Sequence, residues 1–252
     1  MRIEILGSGG AVATPRGTCR CAVCEGARAG SRDARMGPSV FVHGPDVLVD
    51  TPEESRLQLA RSSIERVAAA LYSHWHPDHT AGRRVWEMNF DFRGWPPEAK
   101  ETTCVPVYVP EQVARDFEQF QGIREHFAYL ESLGVVRLHE VADGEAIDLG
   151  ETRITPFRLA EDYVYAFVFE QGGRRALIAM DELNGWTPPA GLGRFDVALL
   201  PVGIFEHDPF TGERLIHAEH PLLRLEATYD ETIEMVRAID AARVVLSHVE
   251  HM

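Results

Sequence analysis

Apolar residues in this chain come mostly in short runs broken by turn residues, and only a few stretches carry a helical period. In the first half, residues 2–6, 39–43, 47–50, 67–72 and 104–109 read as strands. Gly44 and Pro45 separate two of them as a hairpin. In the second half, residues 135–139, 152–156, 163–170, 175–180, 197–201 and 244–247 read the same way, with a Gly172-Gly173 hairpin turn. Helical stretches are predicted at 54–62 behind Pro52, at 110–120 and at 123–133. A further helix opens at Thr228, whose hydroxyl stands three residues before Glu231 as in a capping box, and it carries Ile233, Val236 and Ile239 near one face. Cys104 opens an apolar strand and is expected in the core. Strand-rich halves, each closed by a helix, predict an α+β fold: two sheets packed together with helices outside.

The 252 residues suit one α/β domain or two small ones, with a core that needs no disulfides. Lys and Arg total 25 against 39 Asp and Glu, a formal charge of −14. Such a chain is poorly suited to non-specific binding of nucleic acid or anionic membrane, both of which run on basic residues. A small anionic substrate stays open, because a metal cluster can invert the field inside one cleft. No apolar run approaches the roughly 18 residues of a membrane span. The start, MRIEILGSGG, has no basic-then-apolar signal pattern. A soluble cytoplasmic protein is therefore expected. Residues 83–103 read as an irregular loop with Trp86, Phe90, Phe92, Trp95, Pro96 and Pro97; it is either a binding lid or a loop stapled to the core by its aromatics.

Two clusters change the picture. Cys19, Cys21 and Cys24 lie within six residues, too close for a disulfide framework. Dense thiolates favour zinc, which wants a fourth ligand from elsewhere; the alternative is three small core residues, against which the polar setting of Arg16, Gly17, Thr18 and Arg20 argues for an exposed loop. The second cluster is His74, His76, Asp78 and His79, directly behind an apolar strand. Side chains at i and i+2 of an extended segment share a side, so His74 and His76 are placed to share one metal. Beyond the turn at Pro77, Asp78 and His79 are placed to face a second, with a helix starting near Thr80 to hold the turn. Two divalent ions about 3.5–4 Å apart hold a hydroxide and stabilise attacking and leaving oxygens.

His-x-His-x-Asp-His after a buried strand resembles the signature of the metallo-β-lactamase fold hydrolases. Taken with Gly7-Ser8-Gly9-Gly10-Ala11, the Cys-x-Cys-x-x-Cys run and the final Ser247-His248-Val249-Glu250-His251, the chain resembles the PhnP-like phosphodiesterases in order over essentially its whole length. The resemblance implies a four-layer αββα sandwich, one domain over residues 1–252. It implies a structural zinc on Cys19, Cys21, Cys24 and His251. It further implies two catalytic divalent metals, manganese or zinc: the first on His74 and His76, the second on Asp78, His79 and His248, with Asp181 bridging both and Asp78 also catalytic. A carboxylate between adjacent cations also offsets their repulsion.

The chain departs from that pattern twice. Residues 157–163 hold no histidine where the family has one for the first metal; Glu161 or Asp162 stands there. Either a carboxylate replaces it, which favours manganese over zinc, or that metal is weak or absent. The family's histidine after the strand at 197–201 is delayed to His207, taken as the substrate-contacting or general-acid residue, with His217 and His220 following. The implied activity is hydrolysis of a small cyclic phosphodiester by a metal-bridging hydroxide, with a histidine protonating the leaving alkoxide. The turn at Gly7–Gly10 could add amide donors to the phosphate or be a plain turn. Rival readings are a hydrolase of a thioester, lactone or RNA end on the same scaffold, and a PqqB-like non-catalytic metal-binding carrier. The resemblance leaves room for a homodimer.

Overall fold

The computed structural model describes residues 1–93, 103–160 and 163–251. Twelve strands form two six-stranded sheets among these residues. The first runs in chain order: β1 (Arg2–Gly7), β2 (Ser39–His43), β3 (Val47–Val49), β4 (Ala69–Leu71), β5 (Val105–Pro110) and β6 (Val136–Val141). Its first three strands pair antiparallel and β3 through β6 pair parallel. The second runs in the reverse order: β12 (Val244–Ser247), β11 (Val197–Pro201), β10 (Arg174–Ala179), β9 (Tyr165–Gln171), β8 (Thr152–Arg158) and β7 (Ile147–Leu149). Here β7 through β10 are antiparallel, while β11 and β12 continue parallel to β10.

The central strands β9 and β10 of the second sheet are buried on both faces over most of their length, and their period of two divides them between two cores. Tyr165, Phe167 and Phe169 of β9, with Ala176 and Ile178 of β10, belong to one core with Val40, Val42, Val107 and other residues of the first sheet. Ala166 and Val168, with Leu177 and Ala179, face the opposite way, toward Trp186, Phe195 and Met235. Met235 lies on α6 (Tyr229–Ala238), which covers that outer face, and Thr228 and Glu231 cap it reciprocally. On the far side, α4 (Glu111–Gln119) and α5 (Ile123–Ser132) bury Val113, Phe117, Ile123 and Phe127 against the first sheet. The order is helix, sheet, sheet, helix, the expected αββα sandwich. No helix among the described residues is long and apolar enough to cross a membrane.

Several local expectations need correction. Cys104 is exposed, because β5 begins one residue later at Val105 and leaves the thiol on the approach to the sheet. The cysteine segment is not all loop: α1 (Ala22–Arg28) starts inside it, with Cys21 as its cap and Cys24 buried. The helix expected near Thr80 begins at Pro77, whose fixed φ suits a first helical position. This is α3 (Pro77–Thr80), and a 3-10 helix (Ala81–Asn89) continues it, burying Val85 and Trp86 where an irregular loop was expected. Trp95, Pro96 and Pro97 lie outside the described residues. The remaining short helix, α2 (Ser55–Arg61), lies within the stretch read as helical.

Candidate metal centre

The site lies at the carboxyl ends of strands from both sheets, where open α/β sheets present their crevices. Asp50 follows β3, His74 follows β4, Asp181 follows β10 and His248 follows β12. The turn carrying Asp78 and His79 is clamped to the segment after β3. The Thr51 amide donates to the His79 carbonyl (2.8 Å), and the Gly82 amide to the Thr51 carbonyl (2.9 Å). A Cβ on Gly82 would stand 1.8 Å from the Pro52 carbonyl oxygen, so only glycine permits this approach. On the other side, the Tyr165 amide donates to the Ser73 carbonyl (3.0 Å), tying β9 to the residue before His74.

Two groups of side chains converge here. Asp78, His79, Asp181 and His248 form one; His74, His76 and Asp181 form the other. Asp181 belongs to both. Its Oδ2 lies 3.3 Å from His74 Nε2, 4.0 Å from His76 Nδ1 and 3.6 Å from His79 Nε2, while its Oδ1 lies 3.3 Å from His248 Nε2. Asp78 Oδ2 lies 3.2 Å from His79 Nε2 and 3.4 Å from His248 Nε2. Ligand bonds of about 2.0–2.2 Å in a tetrahedron give donor-to-donor edges of about 3.4 Å, the spacing seen here. Moreover, the Nε2 atoms of His74, His79 and His248 and Oδ2 of Asp78 are buried without any hydrogen-bond partner. Each such orphan costs about 1–3 kcal/mol, and a divalent cation would satisfy them together. The donor set therefore fits a pair of divalent metals.

Asp50 orients the imidazoles, a role the sequence reading missed. Its Oδ2 accepts from His79 Nδ1 (2.7 Å) and from the Ser73 hydroxyl (2.6 Å), and its Oδ1 accepts from the Ser73 amide (2.8 Å). The Ser73 oxygen, having donated its hydrogen, accepts from His74 Nδ1 (3.0 Å). One buried carboxylate thus places a proton on Nδ1 of both rings and turns both Nε2 lone pairs into the site. Asp50 itself takes a left-handed φ of 59°, and His248 takes 55°, conformations uncommon for non-glycine residues and tolerated best by residues such as Asp and His.

The field within the site sorts the rings. Burial, with the neighbouring His74, holds His76 down to about 4, and burial holds His74 below the ordinary range as well. For His79 burial acts downward too, but the Asp78 and Asp50 carboxylates outweigh it and the ring stays well above its usual value; Asp181 and Asp78 raise His248 likewise. Burial alone would raise Asp78 and Asp181, yet the facing histidines keep both carboxyls far below the usual range. Cations would take the place of the extra protons on His79 and His248.

The cysteines form a separate group with His251. His251 Nε2 lies 3.9, 3.3 and 3.1 Å from Sγ of Cys19, Cys21 and Cys24. Zinc bonds of about 2.3 Å to sulfur and 2.0 Å to nitrogen give a tetrahedral edge of about 3.5 Å, which those distances bracket. This donor set fits one closed zinc and ties α1 to the C-terminal segment.

Other expected site residues are placed differently. Glu161, with Asp162, lies outside the described residues. His207 belongs to neither group; its backbone bridges Arg214 in an excursion after β11. Nδ1 of His217 and of His220 accept local amides, from Glu219 and Leu222. In and just after the glycine turn, the Gly9 amide donates to the Met36 carbonyl, the Gly10 amide to the Val249 carbonyl and the Ala11 amide to the Glu250 carboxylate. These bonds take up the Gly9 and Gly10 amides, and the Ala11 bond seats Glu250, whose Oε1 lies 3.7 Å from His248 Nδ1.

A family model described as the Beta-lactamase superfamily domain matches residues 43–249, and the chain belongs to that superfamily, most of whose members are metal-dependent hydrolases. Its fold is the metallo-β-lactamase fold and it is PhnP-like. A solved diphosphatase of the PhnP family is 25% identical with a TM-score of 0.73, over 99% of this chain and 86% of its own. Zn(2+)-bound PqqB from Methylobacterium extorquens is 17% identical with a TM-score of 0.69, over 99% and 89%. The short form of human tRNase Z is 17% identical with a TM-score of 0.67, over 100% and 93%. No curated protein matches the chain.

Proposed function

We propose that this chain is a metal-dependent phosphodiesterase acting on a small cyclic phosphodiester, with residues 1–252 working as one unit. The observation that carries the reading is Asp181, one carboxylate shared by a four-donor and a three-donor group. Such a bridge supports two adjacent divalent cations, manganese or zinc. Bound there, the cations would supply Lewis acidity and a nucleophile available near neutral pH. The chain's own residues then have distinct tasks. Asp50 and Ser73 hold the Nδ1 protons of His79 and His74, so that both rings present a lone pair. Asp78 and Asp181 keep negative charge at the centre at neutral pH. With cations bound, this cleft would offer phosphoryl oxygens a positive field in an acidic protein, and the likeness to a PhnP-family diphosphatase supports a phosphoryl substrate.

The test is a substrate and metal screen. Cyclic and linear phosphodiesters are compared with thioesters and lactones, with manganese and zinc supplied separately, beside metal analysis. The reading expects phosphodiester turnover and about three metals per chain, two catalytic and one structural. Zinc at one per chain without any turnover would instead support a non-catalytic carrier.

A further inference from the structure

We infer that Glu250 is a positioning residue of the metal centre: its carboxylate faces Nδ1 of His248 and leaves the opposite ring nitrogen, Nε2, to the four-donor group. The inference deepens the proposed function and rests on its metal centre, though not on its substrate. Three buried imidazoles present an Nε2 without a hydrogen-bond partner: His74, His79 and His248. Asp50 stands behind the His79 ring and Ser73 behind the His74 ring, each at Nδ1. Behind the third ring stands Glu250, with Oε1 3.7 Å from His248 Nδ1. That is too long for a hydrogen bond, so the carboxylate acts through its charge. A negative charge on that side favours the proton on Nδ1 and keeps the lone pair on Nε2. The rings of His79 and His248 lie parallel within 12°, and both Nε2 atoms face Asp78 Oδ2, at 3.2 and 3.4 Å. The same tautomer therefore serves both rings.

The carboxylate is itself held in place. Its Oε1 accepts from the Ala11 amide (2.7 Å), 239 positions away in the chain. The Val249 amide donates to the Ser8 carbonyl (2.9 Å), and the Gly10 amide to the Val249 carbonyl (3.0 Å). The glycine turn thus grips both the backbone and the side chain of this short segment. Beyond it, His251 joins the cysteine group, so Glu250 sits between a ligand of each metal group. Gly10 makes room for the charge. A Cβ there would overlap Oε1 and Cδ of Glu250 and stand 3.0 Å from Oε2.

Four variants separate this role from simple support of the turn. Glu250→Gln keeps the size and an oxygen for the Ala11 amide and removes the charge. Gly10→Ala keeps the charge and pushes the carboxyl group aside; the φ of Gly10 is not left-handed, so alanine meets no backbone strain. Glu250→Ala, alone and combined with Gly10→Ala, completes a double-mutant cycle.

Stripped parent and variants are titrated with manganese, which soft thiolates do not select, and with zinc, counting ions per chain. Affinity at the centre should fall about tenfold in Glu250→Gln, Glu250→Ala and Gly10→Ala, the low end of what an outer carboxylate supplies. Adding Gly10→Ala to Glu250→Ala should change it by less than about twofold, with the circular dichroism spectrum preserved. Affinity in Glu250→Gln within about twofold of the parent overturns the inference, because Glu250 then only holds the turn. So does a Gly10→Ala loss as large without the Glu250 side chain as with it. If the parent takes up ions at the centre but hydrolyses no phosphodiester, the activity reading has failed alone, and the affinities still decide about Glu250. If the centre of the parent takes up neither ion, the metal reading fails and this inference with it.

Discussion

Nδ1 of His79 lies 2.7 Å from Oδ2 of Asp50, and both side chains are wholly buried. The pair joins residues 29 positions apart and fixes the direction in which His79 presents its other nitrogen. Asp50→Asn keeps the size and removes the charge. Metal affinity should fall about 10–100-fold, the usual effect of losing an outer-shell carboxylate. Asp50→Ala should further destabilise the fold by about 3–5 kcal/mol, since it leaves a buried group uncompensated. Chelator competition and urea unfolding check the two effects. Equal metal affinity in Asp50→Asn would remove Asp50 from the orienting role.

Asp181 touches both groups, so its loss should affect both at once. Asp181→Ala should bring hydrolysis of bis-p-nitrophenyl phosphate to background and lower the number of metals bound, with the circular dichroism spectrum preserved. Turnover at the parent's rate would exclude a bridging role.

The cysteine site should act on stability and not on chemistry. Cys21→Ser should lower zinc content by one ion per chain and lower the melting temperature, by about 2–4 °C for each kcal/mol lost in a chain of this size. An unaltered zinc content together with an unaltered melting temperature would reject the assignment.

With the zinc stripped, Cys21 should become a reactive thiol. It is exposed, and the Cys24 amide and then His251 hold its pKa down to about 6. A depressed thiol is thiolate above that value and protonated below it. Alkylation by iodoacetamide should therefore be fast at pH 7.5, decline as pH falls through about 6, and be blocked by added zinc. Mass spectrometry across a pH series reads this out. An inflection near the ordinary thiol value of about 8.5 would contradict the geometry.

Much of the centre was legible along the chain because its chemistry is locally spaced. His74 and His76 sit two apart on an extended segment, and Asp78 and His79 sit in the first turn of a helix started by proline, so their sharing of one region follows from backbone periodicity. The capping box at Thr228 and Glu231 is local for the same reason and forms as read. Cys104 shows the limit of such reading. An apolar run locates a strand, but which residue first enters the sheet depends on the neighbouring strand's register.

Asp50 was invisible for a deeper reason. A lone aspartate at a strand end carries no pattern, and its partners Ser73 and His79 come to it only through the parallel pairing of β3 with β4 and the clamp at Gly82. The sequence by itself determined the kinds of ligand, their short-range grouping and the class of fold, because strand and helix periods act over a few residues. Only the tertiary structure decided which orphaned nitrogens face one another and which carboxylate orients them, because those depend on hydrogen bonds and packing between strand ends far apart in the chain.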